Sequence, residues 1–128
     1  VRNNNILAIG VNGTFPGSIN CCDKFVKRSD GVWMEYRDGG LYECDKDAHH
    51  RWSLINEVHA EMNALAKANK NGIDVTGATA YITHSPCYNC AKNIYTFGIK
   101  KIFYKHAYDD IDDVKKLLED FDIEIIQM

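Results

Sequence analysis

From residue 78 to the C-terminus the chain alternates short β-branched runs with helical stripes, and few architectures accept that pattern. Residues 78–84 (Ala-Thr-Ala-Tyr-Ile-Thr-His) read as a strand, 87–97 as a helix stopped by Gly98, and 101–105 as a second strand. Residues 110–121 read as a helix whose acidic first turn suits the helix dipole, and 123–128 as a last strand. Alternating β and α units of this size imply an α/β fold in which helices flank one sheet.

Upstream the pattern is less regular. Ile55, Val58, Met62, Leu65 and Ala66 make one apolar stripe, predicting a helix over 49–70 that ends at Asn71-Gly72. Residues 5–12 read as a strand entered through the Asn-rich turn at 3–5, since Asn tolerates the positive φ of hairpin turns. Only Val1 and Arg2 precede that turn, so the sequence is expected to begin partway through a motif. Residues 13–47 read as a long irregular insertion with a short helical turn near 22–28. It holds three of the five cysteines, which makes a metal tether plausible there. Without repeats or linkers, residues 1–128 are expected to form a single domain.

Charge narrows the function classes. Fifteen Lys and Arg against 18 Asp and Glu leave a net charge of −3, which offers no basic field for a nucleic-acid backbone. Lys100-Lys101 and Lys115-Lys116 are too short for a basic tract. No apolar run approaches the ~20 residues of a membrane span, and Val-Arg-Asn-Asn-Asn has no signal-peptide character. Five cysteines, an odd number, point to a reducing, cytoplasmic setting. There thiols more often ligate metals or catalyse than pair as disulfides.

Two local patterns carry chemistry: His59-Ala60-Glu61 on the predicted helix, and Pro86-Cys87-Tyr88-Asn89-Cys90 where a strand meets a helix. A Cys-x-x-Cys at a helix N-terminus aims two thiols at one point, and the dipole favours both thiolates. Two thiolates and one imidazole make the three-ligand set of a catalytic zinc with a fourth position left for water. Zinc lowers the pKa of that water toward about 7. Glu61 lies on another azimuth from His59, where it can reach the water without ligating the metal, as a general base must. Taken singly, the Cys-x-x-Cys could equally be a redox pair or half a zinc ribbon, and the His-x-Glu a chance pair on an exposed helix.

Together the two patterns form the His-x-Glu…Pro-Cys-x-x-Cys signature of zinc-dependent nucleobase deaminases. The runs 57–64 (Glu-Val-His-Ala-Glu-Met-Asn-Ala) and 85–92 (Ser-Pro-Cys-Tyr-Asn-Cys-Ala-Lys) closely resemble deoxycytidylate (dCMP) deaminases, those of phages in particular. Further matches are Gly10-Val11-Asn12-Gly13-Thr14, Asn20-Cys21-Cys22-Asp23, Ala48-His49-His50-Arg51-Trp52, and Gly98-Ile99-Lys100-Lys101 leading to Tyr108. The resemblance runs along essentially the whole chain.

It implies a three-layer α-β-α sheet with flanking helices, preceded in the family by a helix and a first strand that this sequence lacks. It implies His59, Cys87 and Cys90 as Zn2+ ligands and Glu61 as the proton shuttle for hydroxide attack on C4, yielding dUMP and ammonia. Asn12 matches a sugar contact and Tyr108 a residue beside the phosphate, with Ala60 and Ser85 as further substrate contacts. Cys21, His49 and Glu57 match three ligands of a second, structural Zn2+; the fourth family cysteine has no counterpart, and Cys22 or Cys44 are the alternatives. Gly10, Asn12 and Gly13 fall where relatives bind a nucleoside triphosphate with Mg2+, dCTP activating and dTTP inhibiting, in a hexameric homo-oligomer. Val11 stands where the family usually has tyrosine, and Pro16 falls one place late. The alternatives are a deaminase of a free nucleoside or of nucleic acid, or a zinc-stabilised binding module without catalysis. Free-nucleoside enzymes commonly have cysteine at the place of His59, and a binding module has no need of Glu61.

Overall fold

The computed structural model describes residues 1–128. The chain divides into two compact units, one comprising Val1–Val11 with His59–Met128 and the other Asn12–Val58. In chain order the elements are β1 (Gly13–Thr14), α1 (Cys21–Lys24), β2 (Phe25–Lys27), β3 (Trp33–Arg37), β4 (Gly40–Cys44), α2 (Lys46–Asn56), β5 (Glu57–Val58), α3 (Ala60–Lys70), β6 (Thr79–His84), α4 (Tyr88–Thr96), β7 (Lys101–His106), α5 (Ile111–Glu119) and β8 (Glu124–Gln127).

The larger unit is the α/β fold the alternation implies. Its strands form a parallel sheet in the order β6-β7-β8, with α4 and α5 making the crossovers that parallel neighbours require. β7 is central, and its Ile102 and Tyr104 are fully buried. Around Ile102 pack Leu65 and Ala68 of α3, Ala91 and Ile94 of α4, and Val114 and Leu118 of α5. The stop expected at Gly98 is a Schellman turn. Gly98 takes φ +76°, its N–H donates to the Tyr95 carbonyl, and the Ile99 N–H donates to that of Ile94.

The Asn turn also forms as read. Asn3 and Asn4 have φ +50° and +62°, and Arg2 and Asn5 exchange backbone hydrogen bonds of 3.0 Å. The strand expected over 5–12 does not follow. Ile6, Ile9 and Val11 are exposed while Leu7 and Ala8 pack on the core, so no period-two face exists to pair. This segment is held from α3 instead, where the Asn63 side chain donates to the Val11 carbonyl at 2.8 Å.

The smaller unit replaces the expected irregular insertion. β2, β3 and β4 form an antiparallel sheet, and the β3–β4 hairpin turns on Asp38-Gly39, both at positive φ. The helical turn expected near 22–28 is α1, which ends where Phe25 becomes extended. The core here is aromatic: Phe25 is buried, its ring edge-on to His49 at 5.3 Å and to Trp52 at 5.6 Å. Trp33 stacks flat on His49 with centroids 3.9 Å apart.

The predicted helix over 49–70 is two helices. α2 stops at Asn56, Glu57–Val58 pairs as β5 with β1, and His59 is the extended N-cap of α3. The β-branched Val58 opposite Gly13 takes a ladder position in place of a helical one. No helix is long and apolar enough to cross a membrane.

Candidate functional site

Both halves of the site stand at helix N-termini. His59 caps α3 with φ −63° and ψ 150°, and its side chain makes no capping bond, leaving the ring free to turn outward from the helix. Cys87 caps α4 immediately after β6 and Ser85-Pro86, and its Sγ accepts the Cys90 N–H at 3.5 Å. His59 Nδ1 lies 3.5 Å from Cys87 Sγ and 3.4 Å from Cys90 Sγ. One ligand atom from each residue falls within 4.8 Å of the other two. Zn–S bonds of about 2.3 Å and Zn–N bonds of about 2.0–2.1 Å in a tetrahedron separate sulfur from nitrogen by about 3.6 Å. The three side chains therefore fit a zinc ion, bound through Nδ1 of the imidazole.

Burial pushes the Cys90 thiol far above its ordinary range, and the Glu61 carboxylate and the Cys87 thiol push it further. Glu61 and the two thiols thus converge at two helix N-termini, whose dipoles favour the charged forms of such groups. Glu61 sits in the first turn of α3, two residues past the cap and beside Cys90. The break in the predicted helix gives the two side chains different settings: His59 stands on the extended cap, and Glu61 on the first turn of the helix proper.

Ser85 is buried at 1% exposure. Its Oγ accepts the Tyr108 N–H at 2.8 Å, and its own N–H donates to the His106 carbonyl at 2.7 Å. The hydroxyl is thereby committed to holding the chain beyond β7. Tyr108 is half exposed, and its phenol is pushed above its usual value by burial first, then by Glu61, Cys87, Cys90 and Asp110. His59, Glu61, Ser85, Cys87, Cys90 and Tyr108 are thus gathered in one place. Ala60 adjoins them through its carbonyl, which meets Gly10: a β-carbon on Gly10 would stand 2.0 Å from that oxygen.

The other candidates lie in the smaller unit. Cys21 Sγ is 3.3 Å from His49 Nε2. Burial, then the charge of Glu57, raises the Cys21 thiol above its ordinary range. The Glu57 carboxylate accepts the Ser53 hydroxyl, so Cys21 and His49 make the close pair and Glu57 stands by it. Cys22 is exposed, and Cys44 faces Trp33 across the hairpin. Gly13 pairs with Val58 and has open space on its side-chain side; Asn12 opens the unit.

Sequence reasoning missed the aromatic wall around His49, formed by Phe25 and Trp33. It also missed His84 and His106, whose rings lie 5.1 Å apart at the ends of β6 and β7. Their signal, histidine at the last position of each strand, is visible only once the parallel register is known.

Residues 1–106 match the family model described as the cytidine and deoxycytidylate deaminase zinc-binding region. The deoxycytidylate deaminase of Enterobacteria phage T4 is 37% identical over 128 residues, covering 84% of this chain and 65% of that protein. ComE operon protein 2 of Bacillus subtilis is 30% identical, covering all of this chain and 57% of that protein. The chain thus spans less than two thirds of the length of these relatives. Among solved structures, dCMP deaminase from the cyanophage S-TIM5, in complex with dCMP and dUMP, superposes with a TM-score of 0.69. It is 32% identical, with 100% of this chain and 76% of that one covered.

Proposed function

This chain belongs to the cytidine and deoxycytidylate deaminase family, and from that premise we propose that it hydrolyses dCMP to dUMP and ammonia. The observation that carries the reading is the convergence of His59 Nδ1 with the Cys87 and Cys90 thiols, with Glu61 on the first turn of the same helix. The dCMP and dUMP held by the cyanophage relative support that substrate over others of its class.

His59, Cys87 and Cys90 would hold zinc, which when bound makes a coordinated water acidic enough to supply hydroxide near pH 7. Glu61 takes the proton released as oxygen adds to C4 and delivers it to N3. It then helps protonate the exocyclic amine, so that C4–N breaks, C4=O forms and ammonia leaves. Ser85 keeps Tyr108 at the rim through its 2.8 Å hydrogen bond. Asn12 contacts the sugar, Ala60 and Ser85 border the base, and Tyr108 lies by the phosphate. A net charge of −3 disfavours a nucleic-acid substrate.

The same reading extends to the smaller unit. Cys21, His49 and Glu57 would hold a second, structural Zn2+, supported by the 3.3 Å approach of Cys21 to His49. Gly10, Asn12 and Gly13 would take a nucleoside triphosphate with Mg2+, dCTP activating and dTTP inhibiting a homo-hexamer in the cytoplasm. Ammonia release from dCMP, cytidine, dCTP and single-stranded DNA in competition tests the core of the proposal. Preference for dCMP is expected. Equal turnover of cytidine would overturn the nucleotide reading, and zinc retention without any turnover would favour a binding module.

A further inference from the structure

His84 and His106 take no part in the chemistry above. They occupy the last positions of β6 and β7 and are register partners in the parallel sheet. Register partners project from the same face, and the two rings lie 5.1 Å apart. The His84 ring also stacks on Tyr108, centroids 5.3 Å apart and planes 23° from parallel. Both imidazoles are exposed.

Their place is the carboxyl end of a parallel sheet, where open α/β sheets receive ligands. Ser85 follows His84 directly and ties Tyr108 to it, and Cys87 is two residues further on. The Tyr108 phenol in turn feels the charges of Glu61, Cys87 and Cys90. A row from His106 through His84 and Tyr108 therefore leads to the metal-ligating cluster.

Three of the larger unit's other cations are placed elsewhere. The Arg2 guanidinium donates to the Thr76 carbonyl, ahead of the start of β6. Lys101, first in β7, pairs with Glu124 at 2.8 Å. Lys105 precedes His106 and so projects from the opposite face of β7. The Tyr108 phenol is faced by Glu61 and Asp110, both acidic. A dianion reaching this rim would find His84 and His106 as its N–H donors.

We infer that His84 and His106 form a phosphate-recognition pair for the 5′-monophosphate of the nucleotide, an inference that rests on reading the centre as a dCMP deaminase. An imidazole N–H donates to a phosphate oxygen in either protonation state, and two rings on one face can hold two oxygens of the same group. The pair would make the chain discriminate nucleotide from nucleoside without a basic tract.

Steady-state turnover of dCMP and deoxycytidine by the complete protein, with calorimetric binding of dUMP, deoxyuridine and inorganic phosphate, tests the pair. In H84A and H106A the ratio of kcat/KM for dCMP to that for deoxycytidine is expected to fall about tenfold or more, carried by KM for dCMP, as loss of a charged hydrogen bond implies. Affinity for dUMP and for inorganic phosphate should fall in parallel, deoxyuridine binding should not follow, and H84N, which keeps an N–H donor, should recover part of the ratio. An unchanged ratio, or an equal loss for deoxycytidine, would overturn the assignment. If the wild-type protein released ammonia from neither substrate, the deaminase reading would fall, while phosphate and dUMP binding would still decide the histidine pair.

Discussion

Gly10 lies so close to Ala60 that a β-carbon built on it would stand 2.0 Å from the Ala60 carbonyl oxygen and 2.6 Å from the Ala64 nitrogen. Both are backbone atoms at the start of α3, so neither can swing aside as a side-chain tip would. Gly10→Ala must shift either its own segment or the helix start that carries His59 and Glu61. We expect a loss of about 1–3 kcal/mol in stability. Turnover should fall further than the folded fraction measured by thermal unfolding.

Glu61→Gln keeps the size and a hydrogen-bonding end but cannot carry the proton. Zinc content should stay at the wild-type value while kcat drops by roughly 10²–10⁴-fold, the contribution of a positioned acid–base group. Metal analysis beside an ammonia assay checks both halves, and retained turnover would remove Glu61 from the mechanism.

Ser85→Ala leaves the Tyr108 N–H without its 2.8 Å acceptor. Loss of one partner from a buried hydrogen bond costs about 1–3 kcal/mol. Thermal unfolding should report that loss, and KM for dCMP should rise as the Tyr108 segment loosens.

Cys21 and Cys22 are neighbours with opposite expectations. Burial and the Glu57 charge raise the Cys21 thiol, so at pH 7–8 less of it is thiolate, whereas Cys22 is exposed. In metal-free protein an alkylating reagent should label Cys22 first, followed by mass spectrometry of the peptide. Glu57→Gln removes the anionic neighbour and should move Cys21 labelling to lower pH. Two zinc ions per chain, with Cys21 protected until a chelator is added, would establish the second metal site.

Much of this was legible beforehand because the relevant signals are local. Gly98 stops α4 by its positive φ, and Asn3-Asn4 turns the chain for the same reason. Cys-x-x-Cys at a strand-to-helix junction aims two thiols together whatever else the fold does. What escaped were features set by partners distant in sequence. Val58 sits in an apolar stripe of helical period, yet its pairing with Gly13 pulls it out of the helix. Residues 33–44 contain a hairpin signal, aromatic and polar residues around Asp38-Gly39, that the surrounding glycines obscured. His84 and His106 become a pair only through the register of β6 on β7.

The ligand spacing has a consequence for the chain as a polymer. Cys87 follows His59 by 28 residues and Cys90 follows it by 31, so a cation held by all three closes a loop containing α3 and β6. Chain statistics for a loop of that size put the restriction of the unfolded state at about 3–4 kcal/mol. A metal that binds only the folded form adds stability as the logarithm of its free concentration. With zinc held there, the melting point of this unit would follow ambient zinc, and starving the protein of metal would withdraw a cross-link along with a reagent.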